Sequence, residues 1–400
     1  MEVRLAGTGG RWGWPQPDCG CASCARARSA GRHRAPARLL VDGVLDIEPA
    51  GPAAHVADAL HGGGGTGASR SGGPAPGVAG YRVERVPGGW DVTGPGGSRL
   101  LVGRGPGEGH GLTAAPPNAA KPHDTGTDPA DPYDIVLLDL LENPAQLGAL
   151  RHRGLVHART VVAVLHADHR ISSEEELARR GRFWGVIVPH DGDVLATTPG
   201  PAPASSTGGG PSRPRRVLVL GGARSGKSRH AELRLAAEPR VTYLAAGPYP
   251  PGAQPADDSE WRERVAAHRA RRPPWWQTVE SIDAAGMLRS ESGAVLFDGA
   301  GTWLAAVMDE SGAWAAEGEA GPAASAQARI AAKVDELIEA WRQTGAQVVA
   351  VSDEVGSSVH PPTRAGLLFR DQLGWLNQRL AAESEETVLM VAGRALSLPS

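Results

Sequence analysis

Cysteine, aromatic residues and excess charge of either sign are scarce in this chain of 400 residues. The three cysteines are too few and too closely spaced to form a disulfide framework. Phe, Trp and Tyr together make up 4% of the residues, and no apolar run approaches the roughly 18 to 20 residues of a membrane span. Because 41 basic side chains nearly balance 44 acidic ones, the composition excludes a general electrostatic attraction to nucleic acid or membrane.

The N-terminal sequence MEVRLAGTGG has neither the charged start and apolar run of a signal peptide nor a cleavage site. We therefore expect a cytoplasmic protein. Its length predicts two domains, and much of the glycine and proline is expected in linkers and loops. We predict an N-terminal domain over 1–196, a linker over 197–215 and a C-terminal domain over 216–400. The N-terminal domain is expected to carry a loosely structured insertion near 62–128, in which only YRVERV and RLLVG are typical of strands.

Short apolar strands alternate with amphipathic helices from Arg216 onwards, a pattern typical of a parallel sheet covered by helices on both faces. Two apolar stripes have helical spacing, one from Ile330 to Trp341 and the other from Phe369 to Leu380. The simplest interpretation of both stripes is core packing. The candidate strands are VLVL, VTYLAA, AVLFD, QVVAVS and TVLMVA.

A glycine-rich phosphate-binding motif lies between the VLVL strand and the helical sequence RHAELRLAAE. Its glycines allow backbone amides to point inward around phosphates, and the N-terminus of the next helix adds partial positive charge. Lys227 is expected to reach the β- and γ-phosphates of a nucleoside triphosphate, and Ser228 to offer its hydroxyl to Mg²⁺. The eight residues of this motif, called the P-loop below, are Gly221, Gly222, Ala223, Arg224, Ser225, Gly226, Lys227 and Ser228.

The magnesium shell of a P-loop also needs an acidic residue at the end of a neighbouring strand. Asp298 ends the apolar run AVLF and is the first candidate. Asp353 and Glu354, which follow QVVAVS, are the second. For each of them the plain alternative is a solvated carboxylate at a strand end.

Six sequence blocks follow one another in an order that is more specific than the P-loop alone. They are GGARSGKSRHAE, RVAAHRARRPPWWQTVE, VLFDGAGTWL, VSDEVGSSVHP, FRDQLGWLNQRLA and VAG. In this order, residues 216–400 resemble the bifunctional adenosylcobinamide kinase/adenosylcobinamide-phosphate guanylyltransferase family, whose fold is an α/β, RecA-like P-loop sheet. The resemblance implies that ATP or GTP phosphorylates adenosylcobinamide, and that GMP then passes from GTP through a histidine to give adenosylcobinamide-GDP in cobalamin biosynthesis.

The resemblance assigns the guanylylated histidine to His268 in the AAHRARRP block. An imidazole nitrogen is a competent nucleophile at neutral pH, and a phosphoramidate can pass the nucleotide on. Planar guanidinium groups match phosphate oxygens, and a carboxylate can accept hydrogen bonds from guanine or ribose. By the same resemblance, the residues expected near the bound nucleotide are Arg269, Arg271, Arg272, Glu280, Ala246 and Gly247.

Three departures from the family pattern leave the preferred nucleotide open. Ala246 and Gly247 replace the usual Thr after the second strand, Asp353 replaces Asn, and the Gly-rich turn becomes Ser-Ser-Val-His at 357–360. The alternative enzyme is a P-loop kinase or NTPase with another acceptor. The alternative outside enzymes is a GTP-binding regulatory protein without guanylyltransfer. The resemblance also implies a homo-oligomer, which in the family is a trimer.

The cysteines Cys19, Cys21 and Cys24 lie within six residues of one another. Three thiolates at this spacing can hold one tetrahedral zinc ion with a fourth ligand from elsewhere, and His166 or His169 could supply it. The opening sequence resembles metallo-β-lactamase-fold phosphodiesterases of the phosphonate-pathway type, in which such a cluster holds structural zinc. Three reduced cysteines without a metal are the alternative.

The catalytic ligand row of that superfamily, His-x-His-x-Asp-His after a strand, corresponds here to VLLDLLENPAQLGAL. Leu140, Glu142, Pro144 and Ala145 stand at the ligand positions, and an aliphatic side chain cannot coordinate a cation. We therefore predict that the N-terminal half is a degenerate, non-hydrolytic α/β domain of metallo-β-lactamase type, which serves stability, assembly or partner contact.

Overall fold

A computed structural model of the chain contains two compact units, Met1–Pro211 and Ser212–Ser400. The division between them falls within the predicted linker. The predicted sites Gly247 and His268, most of that linker and much of the predicted insertion lie outside the described residues. The structure describes residues 1–49, 54–56, 80–105, 131–197, 215–246, 266, 269–314, 324–357 and 360–399.

One sheet of the N-terminal unit is antiparallel and has the strand order β10-β1-β2-β3-β4. Alternate residues of β1 are buried, as expected for a strand with one face on a core. The strands are β1 (Glu2–Gly7), β2 (Arg38–Val41), β3 (Leu45–Ile47), β4 (Ala54–Val56) and β10 (Val194–Ala196).

The other sheet of this unit has the order β5-β6-β7-β8-β9, and its last three strands run parallel. The two sheets share one apolar core, to which Leu5 and Leu39 contribute from the first sheet and Val92 and Ile135 from the second. The strands are β5 (Arg82–Val86), β6 (Gly89–Thr93), β7 (Arg99–Gly103), β8 (Ile135–Leu138) and β9 (Val161–Val164).

The prediction that 62–128 is a loosely structured insertion is wrong for residues 80–105. The predicted strands YRVERV and RLLVG are present, and GWDVT between them is a third strand. These strands are ordered because Trp90, Val92, Leu100 and Val102 are buried in the shared core, which offsets the entropy lost when a glycine-rich segment is fixed.

The described residues of the N-terminal unit also form three helices, namely α1 (Ala22–Ser29), α2 (Ala145–His152) and α3 (Glu174–Trp184). Helix α3 begins where the sequence predicts, because the Ser173 hydroxyl accepts a hydrogen bond from the amide of Glu176 at 3.2 Å. It ends at Gly185, whose φ of 60° lies in the left-handed region that glycine tolerates.

The C-terminal unit is built on a seven-stranded sheet of order β13-β12-β14-β15-β11-β16-β17, parallel except for the last strand. The predicted α/β class is confirmed, and all five predicted strands are present. The additional strands β13 and β17 lie at the edges, where their short and partly polar sequences give no buried-strand pattern. The strands are β11 (Arg216–Gly221), β12 (Val241–Ala245), β13 (Gln277–Glu280), β14 (Ala294–Asp298), β15 (Gln347–Asp353), β16 (Glu386–Val391) and β17 (Arg394–Leu398).

Helices pack against this sheet over two apolar clusters. One cluster contains Trp303 and both predicted helical stripes, and the other contains Ala231 and Leu235 of the helix that follows the P-loop. Every helix in the described ranges is too short or too polar to cross a bilayer. The helices of this unit whose bounds are fully described are α4 (Lys227–Leu235), α5 (Ala284–Ser290), α6 (Ala300–Glu310), α7 (Ala324–Gln343) and α8 (Arg364–Ala382).

The strand order brings three chain segments to one edge of the sheet. Strand β15 pairs with both β11 and β14, with Gly221 opposite Asp353 and Asp298 opposite Val351. Because these strands are parallel, their carboxyl ends meet at the same edge. The P-loop, Asp298 and Asp353 are therefore neighbours, although Asp353 lies 132 positions after Gly221 in the chain.

Candidate active site

The P-loop connects the end of β11 to the start of α4 through a turn that needs glycine. Gly226 has a φ of 94° and Arg224 a φ of 55°, so the turn passes twice through the left-handed region. A Cβ on Gly221 would collide with Ser225 Oγ and lie 2.9 Å from the carbonyl oxygen of Met390. This backbone places the first amides of α4 at the carboxyl edge of the sheet, where an anion can bind them.

Lys227 lies across the P-loop and is paired with a carboxylate. Its Nζ is 2.8 Å from Asp353 Oδ1 and donates a hydrogen bond of 3.2 Å to the carbonyl oxygen of Gly222. The ammonium group is thus already at the loop, and a bound phosphate would compete with Asp353 for it.

Ser228 and Asp298 provide oxygen atoms of the kind that magnesium prefers. Ser228 Oγ donates a hydrogen bond of 3.2 Å to Asp298 Oδ1. This pairing of hydroxyl and carboxylate beside the P-loop fits a magnesium shell, and of the two acidic candidates it favours Asp298. The Glu354 carboxylate instead bonds to the backbone that follows it: its Oε1 accepts hydrogen bonds from the amides of Gly356 and Ser357 at 2.9 and 3.2 Å.

The predicted nucleotide-binding arginines each contact a different partner. Arg269 donates to Glu280 Oε1 at 3.0 Å, and both side chains are about half exposed, at 55% and 50%. Arg271 forms two hydrogen bonds of 2.9 and 3.1 Å with the carboxylate of Glu232. These hydrogen bonds raise the pKa of the Arg271 guanidinium. The exposed Arg269–Glu280 pair is therefore the more easily opened by a ligand.

Arg272 stacks on Tyr243, a residue outside the predicted site. Its Cζ lies 3.2 Å from the centre of the Tyr243 ring, and its Nη1 donates to Thr278 Oγ1 at 3.2 Å. The Tyr243 hydroxyl in turn donates to Asp298 Oδ2 at 2.7 Å. Burial lowers the pKa of Arg272 and raises that of Tyr243, so the phenol remains a donor at neutral pH. The signal in the sequence was the position of Tyr243 near the end of a buried strand.

Ala246, the one described member of the predicted Ala246-Gly247 pair, is buried directly after β12. It lies next to Ala245, which pairs with Asp298 in the sheet register. The backbone after β12 therefore reaches the same carboxyl edge as the P-loop.

Comparison with known proteins supports a nucleotide-binding site in the C-terminal unit. The family model described as "Cobinamide kinase / cobinamide phosphate guanyltransferase" matches residues 217–398. The bifunctional adenosylcobalamin biosynthesis protein CobP of Pseudomonas aeruginosa is 35% identical over 189 residues, which cover 46% of this chain and 96% of that protein. The protein of the same description named CobU is 36% identical in Escherichia coli K12 and 35% identical in Salmonella typhimurium LT2, over 44% of this chain and 96% of each relative.

This chain belongs to the cobinamide kinase/cobinamide phosphate guanyltransferase family. The resemblance inferred for 216–400 is thereby confirmed, and the family membership resides in the C-terminal unit. The N-terminal unit lies outside the matched residues, so its metallo-β-lactamase character stays a prediction.

A second candidate site, a metal centre, lies in the N-terminal unit. One ligand atom from each of Cys19, Cys21, Cys24 and His169 lies within 4.8 Å of the others, and His169 Nδ1 is 3.5 Å from Cys19 Sγ. A hydrogen bond from the Cys24 amide lowers the pKa of the Cys21 thiol, whereas burial raises the pKa of Cys24 to about 11. Three sulfur atoms and one imidazole nitrogen match a tetrahedral zinc site.

The structure distinguishes between the two histidines that the sequence offers as the fourth ligand. His166 is fully buried, and its Nε2 lies 3.1 Å from the carbonyl oxygen of Gly103. Burial lowers its pKa to about 4. Of these two histidines, His169 is the one grouped with the cysteines.

An arginine lies beside the predicted degenerate ligand row. Arg170 pairs with Asp139 and Asp168 at 2.8 Å each and approaches Glu142 at 3.5 Å. Leu140 is fully buried, and Pro144 is the N-cap residue that precedes α2. The carboxylates near the row thus have a guanidinium as counterion.

Proposed function

We propose that the C-terminal unit catalyses two successive transfers onto adenosylcobinamide. In the first, a hydroxyl oxygen of adenosylcobinamide bonds to the γ-phosphorus of ATP or GTP, the bond to the β–γ bridging oxygen breaks, and a nucleoside diphosphate leaves. In the second, GMP is joined to the new phosphate and yields adenosylcobinamide-GDP, the product of this step of cobalamin biosynthesis.

The P-loop and its neighbours hold the triphosphate in this proposal. Lys227 exchanges Asp353 for the β- and γ-phosphate oxygens, and the amides of residues 222–228 donate to the phosphates. Ser228 and Asp298 would hold magnesium, which when bound neutralises charge on the phosphates. These protein groups contribute by holding the phosphates in the orientation needed for transfer.

His268 is the proposed nucleophile of the guanylyl transfer. One imidazole nitrogen bonds to the α-phosphorus of GTP as pyrophosphate leaves, and an oxygen of the adenosylcobinamide phosphate then displaces the imidazole. Arg269 and Glu280 are proposed to open their ion pair and contact the guanine nucleotide. Arg271 and Arg272 are proposed to border the same nucleotide from their present positions.

The observation that carries this proposal is the convergence of Lys227, Ser228 and Asp298 at the P-loop, with a hydrogen bond of 3.2 Å between Ser228 Oγ and Asp298 Oδ1. It occurs in a unit that spans nearly the whole length of its bifunctional relatives. A phosphate-binding edge with a magnesium-type oxygen pair is what a kinase of this kind requires.

GTP labelled at the α-phosphate tests the second transfer. We expect an acid-labile, alkali-stable label on the protein that His268→Ala abolishes and that unlabelled adenosylcobinamide phosphate removes. Surface His360→Ala is the matched control and should retain the label.

The outcomes separate the competing functions. Phosphorylation of adenosylcobinamide without protein labelling would indicate a kinase alone, and hydrolysis with no transfer to the corrinoid would indicate an NTPase with another acceptor. Nucleotide binding without either turnover would indicate a regulatory GTP-binding protein.

For the N-terminal unit, we propose a structural zinc ion held by Cys19, Cys21, Cys24 and His169. The donor set and the 4.8 Å limit on ligand separations support it. We further propose that this unit is non-hydrolytic, because Arg170 supplies the positive charge between carboxylates that catalytic metals would otherwise supply. A thiolate-rich cluster of this kind suits the reducing cytoplasm, the proposed location.

The assembly is proposed to be a homo-oligomer, with the trimer of the resembled family as the specific expectation. Exposed apolar side chains on the hairpin of β16 and the edge strand β17 support it, since Val391 and Leu396 are each 56% exposed. Light scattering of the full-length chain gives its mass directly.

A further inference from the structure

Asp298 engages a second hydroxyl besides that of Ser228. Its Oδ1 accepts from Ser228 Oγ at 3.2 Å, and its Oδ2 accepts from Tyr243 Oη at 2.7 Å. A carboxylate anchored through one oxygen has fewer orientations available to the other. The shorter contact, to Tyr243, is made by the carboxylate oxygen that does not bond to Ser228.

The register of the sheet explains how Tyr243 reaches Asp298. Tyr243 pairs with Leu296 on β14, two residues before Asp298, so its side chain leaves β12 one strand away from the carboxylate. The ring is only 5% exposed and belongs to the same apolar cluster as Ala231 and Leu235 of the P-loop helix. Tight packing restricts the ring and therefore the position of its hydroxyl.

Arg272 stacks on a face of this ring. Its guanidinium carbon is 3.2 Å from the ring centre, and its Nη1 donates to Thr278, the residue that pairs with Tyr243 on β13. A stacked guanidinium limits the movement of an aromatic ring and shields it from water. Arg272 is thereby connected through Tyr243 to the carboxylate at the P-loop.

We infer that Tyr243 is a positioning residue of the magnesium site, whose hydroxyl holds Asp298 with Oδ1 toward Ser228. This inference rests on the proposed function, because it assigns to Asp298 the magnesium role. Tyr243 itself would touch neither the phosphates nor the metal. Hydrogen-bond partners behind metal ligands commonly change metal affinity by about 10- to 100-fold when removed.

The variant Tyr243→Phe tests the inference because it keeps the ring and the stacking of Arg272 but removes the hydroxyl. Binding of GTP to the full-length chain is followed by calorimetry, once in EDTA and once over a magnesium titration. We expect the magnesium concentration at half-saturation to rise about tenfold, with GTP affinity in EDTA unchanged.

Tyr133→Phe is the matched control. The Tyr133 hydroxyl donates to Asp91 Oδ2 at 2.7 Å in the N-terminal unit, so this variant deletes a tyrosine–carboxylate hydrogen bond of the same length outside the site. Its magnesium titration should coincide with that of the wild type.

A second variant, Arg272→Lys, keeps the charge and removes the planar stack. A smaller rise in the magnesium requirement, about threefold, is expected from a less restricted ring. If Tyr243→Phe does not fold, this variant carries the test through the ratio of its GTP affinities with and without magnesium, because Arg272 is also proposed to border the nucleotide and its loss would change both affinities.

The results separate this inference from the proposed function. Equal weakening of GTP binding with and without magnesium would show a merely structural role for Tyr243, and a titration that matches the wild type would exclude any role in the metal site. Either result overturns the inference and leaves the proposed function intact. A wild-type protein that binds no magnesium nucleotide would overturn both.

Discussion

Lys227 and Asp353 form an ion pair, which a nucleotide bound as proposed would replace. The two side chains are 16% and 46% exposed, and their charged atoms are 2.8 Å apart. A pair open to solvent on one side is screened and contributes about 1 kcal/mol or less. The triphosphate, with several negative charges, can therefore displace Asp353 from Lys227 at modest cost.

Asp353→Asn is expected to strengthen magnesium-free GTP or ATP binding about threefold. The substitution removes the competing charge beside Lys227 and one negative charge near the phosphates, which together are worth less than about 1 kcal/mol at a half-exposed site. The measurement is nucleotide affinity in EDTA at low and at high salt, and the gain should shrink as salt rises.

Asp335→Asn provides the comparison, since Asp335 pairs with Arg379 on the surface of α7 at 2.6 Å. It should bind nucleotide like the wild type. Weaker binding by Asp353→Asn, confined to magnesium-containing buffer, would instead identify Asp353 as part of the magnesium shell, the second assignment that the sequence allows.

Among the local elements, the turn between β11 and α4 is the one most constrained by backbone geometry. Its first glycine lies against Ser225 and against the backbone of β16, where a side chain has no room. The hydroxyl of Ser225 is buried without a hydrogen-bond partner among the described residues. A bound ligand could supply the hydrogen-bond partner that this buried hydroxyl requires.

Gly221→Ala is expected to reduce nucleotide affinity more than tenfold, because the new methyl group forces the P-loop away from Met390 and misplaces its amides. The measurement is GTP affinity together with the thermal midpoint. Gly374→Ala in α8 is the control, since a Cβ there meets no atom within 4 Å. Unchanged nucleotide binding by Gly221→Ala would show that the amides of this turn do not grip the phosphates.

At the scale of the chain, each unit has its own apolar core. The N-terminal core lies between two five-stranded sheets, and the C-terminal clusters lie on the seven-stranded sheet. A unit with its own core can unfold as a separate cooperative element. Ligands that bind one unit should then stabilise that unit.

Calorimetric unfolding of the full-length chain is expected to show two transitions. Magnesium-GTP at about 100 times its dissociation constant should raise one midpoint by about 5 to 10 °C, from roughly 2.7 kcal/mol of linkage. Removal of zinc should lower the other midpoint by at least about 5 °C and release about one equivalent of metal.

Cys24→Ala should reproduce the effect of zinc removal without altering the nucleotide-dependent transition. A single transition that both ligands shift would contradict the separate unfolding of the units. Metal release without any change in either midpoint would contradict the structural role of the zinc.

The parts of the site that are contiguous in the chain could be predicted from the sequence. The contacts between side chains on neighbouring strands could not. The P-loop is a run of eight residues between a strand and a helix, and Asp298 marks the end of an apolar run. Tyr243 looks like an ordinary residue of a buried strand, and its role depends on β12 lying beside β14. The pairing of Lys227 with Asp353 likewise depends on β15 lying beside β11.

The N-terminal unit shows the same contrast. The spacing of Cys19, Cys21 and Cys24 predicts a metal cluster, but His166 and His169 are indistinguishable until the loop after β9 is folded. Strand β6 has two glycines beside it and no long apolar run, so its place in the core emerges only when it pairs with β5 and β7.

Amino-acid order alone was sufficient for the family, the α/β class, the phosphate-binding turn and the candidate metal-binding cysteines, because each of these is encoded in local periodicity or in a short motif. The order of strands in the sheet decided which side chain holds Asp298, which carboxylate pairs with Lys227 and which histidine joins the cysteines. Those contacts join residues far apart in the chain, and they form only where burial of apolar faces brings the segments together.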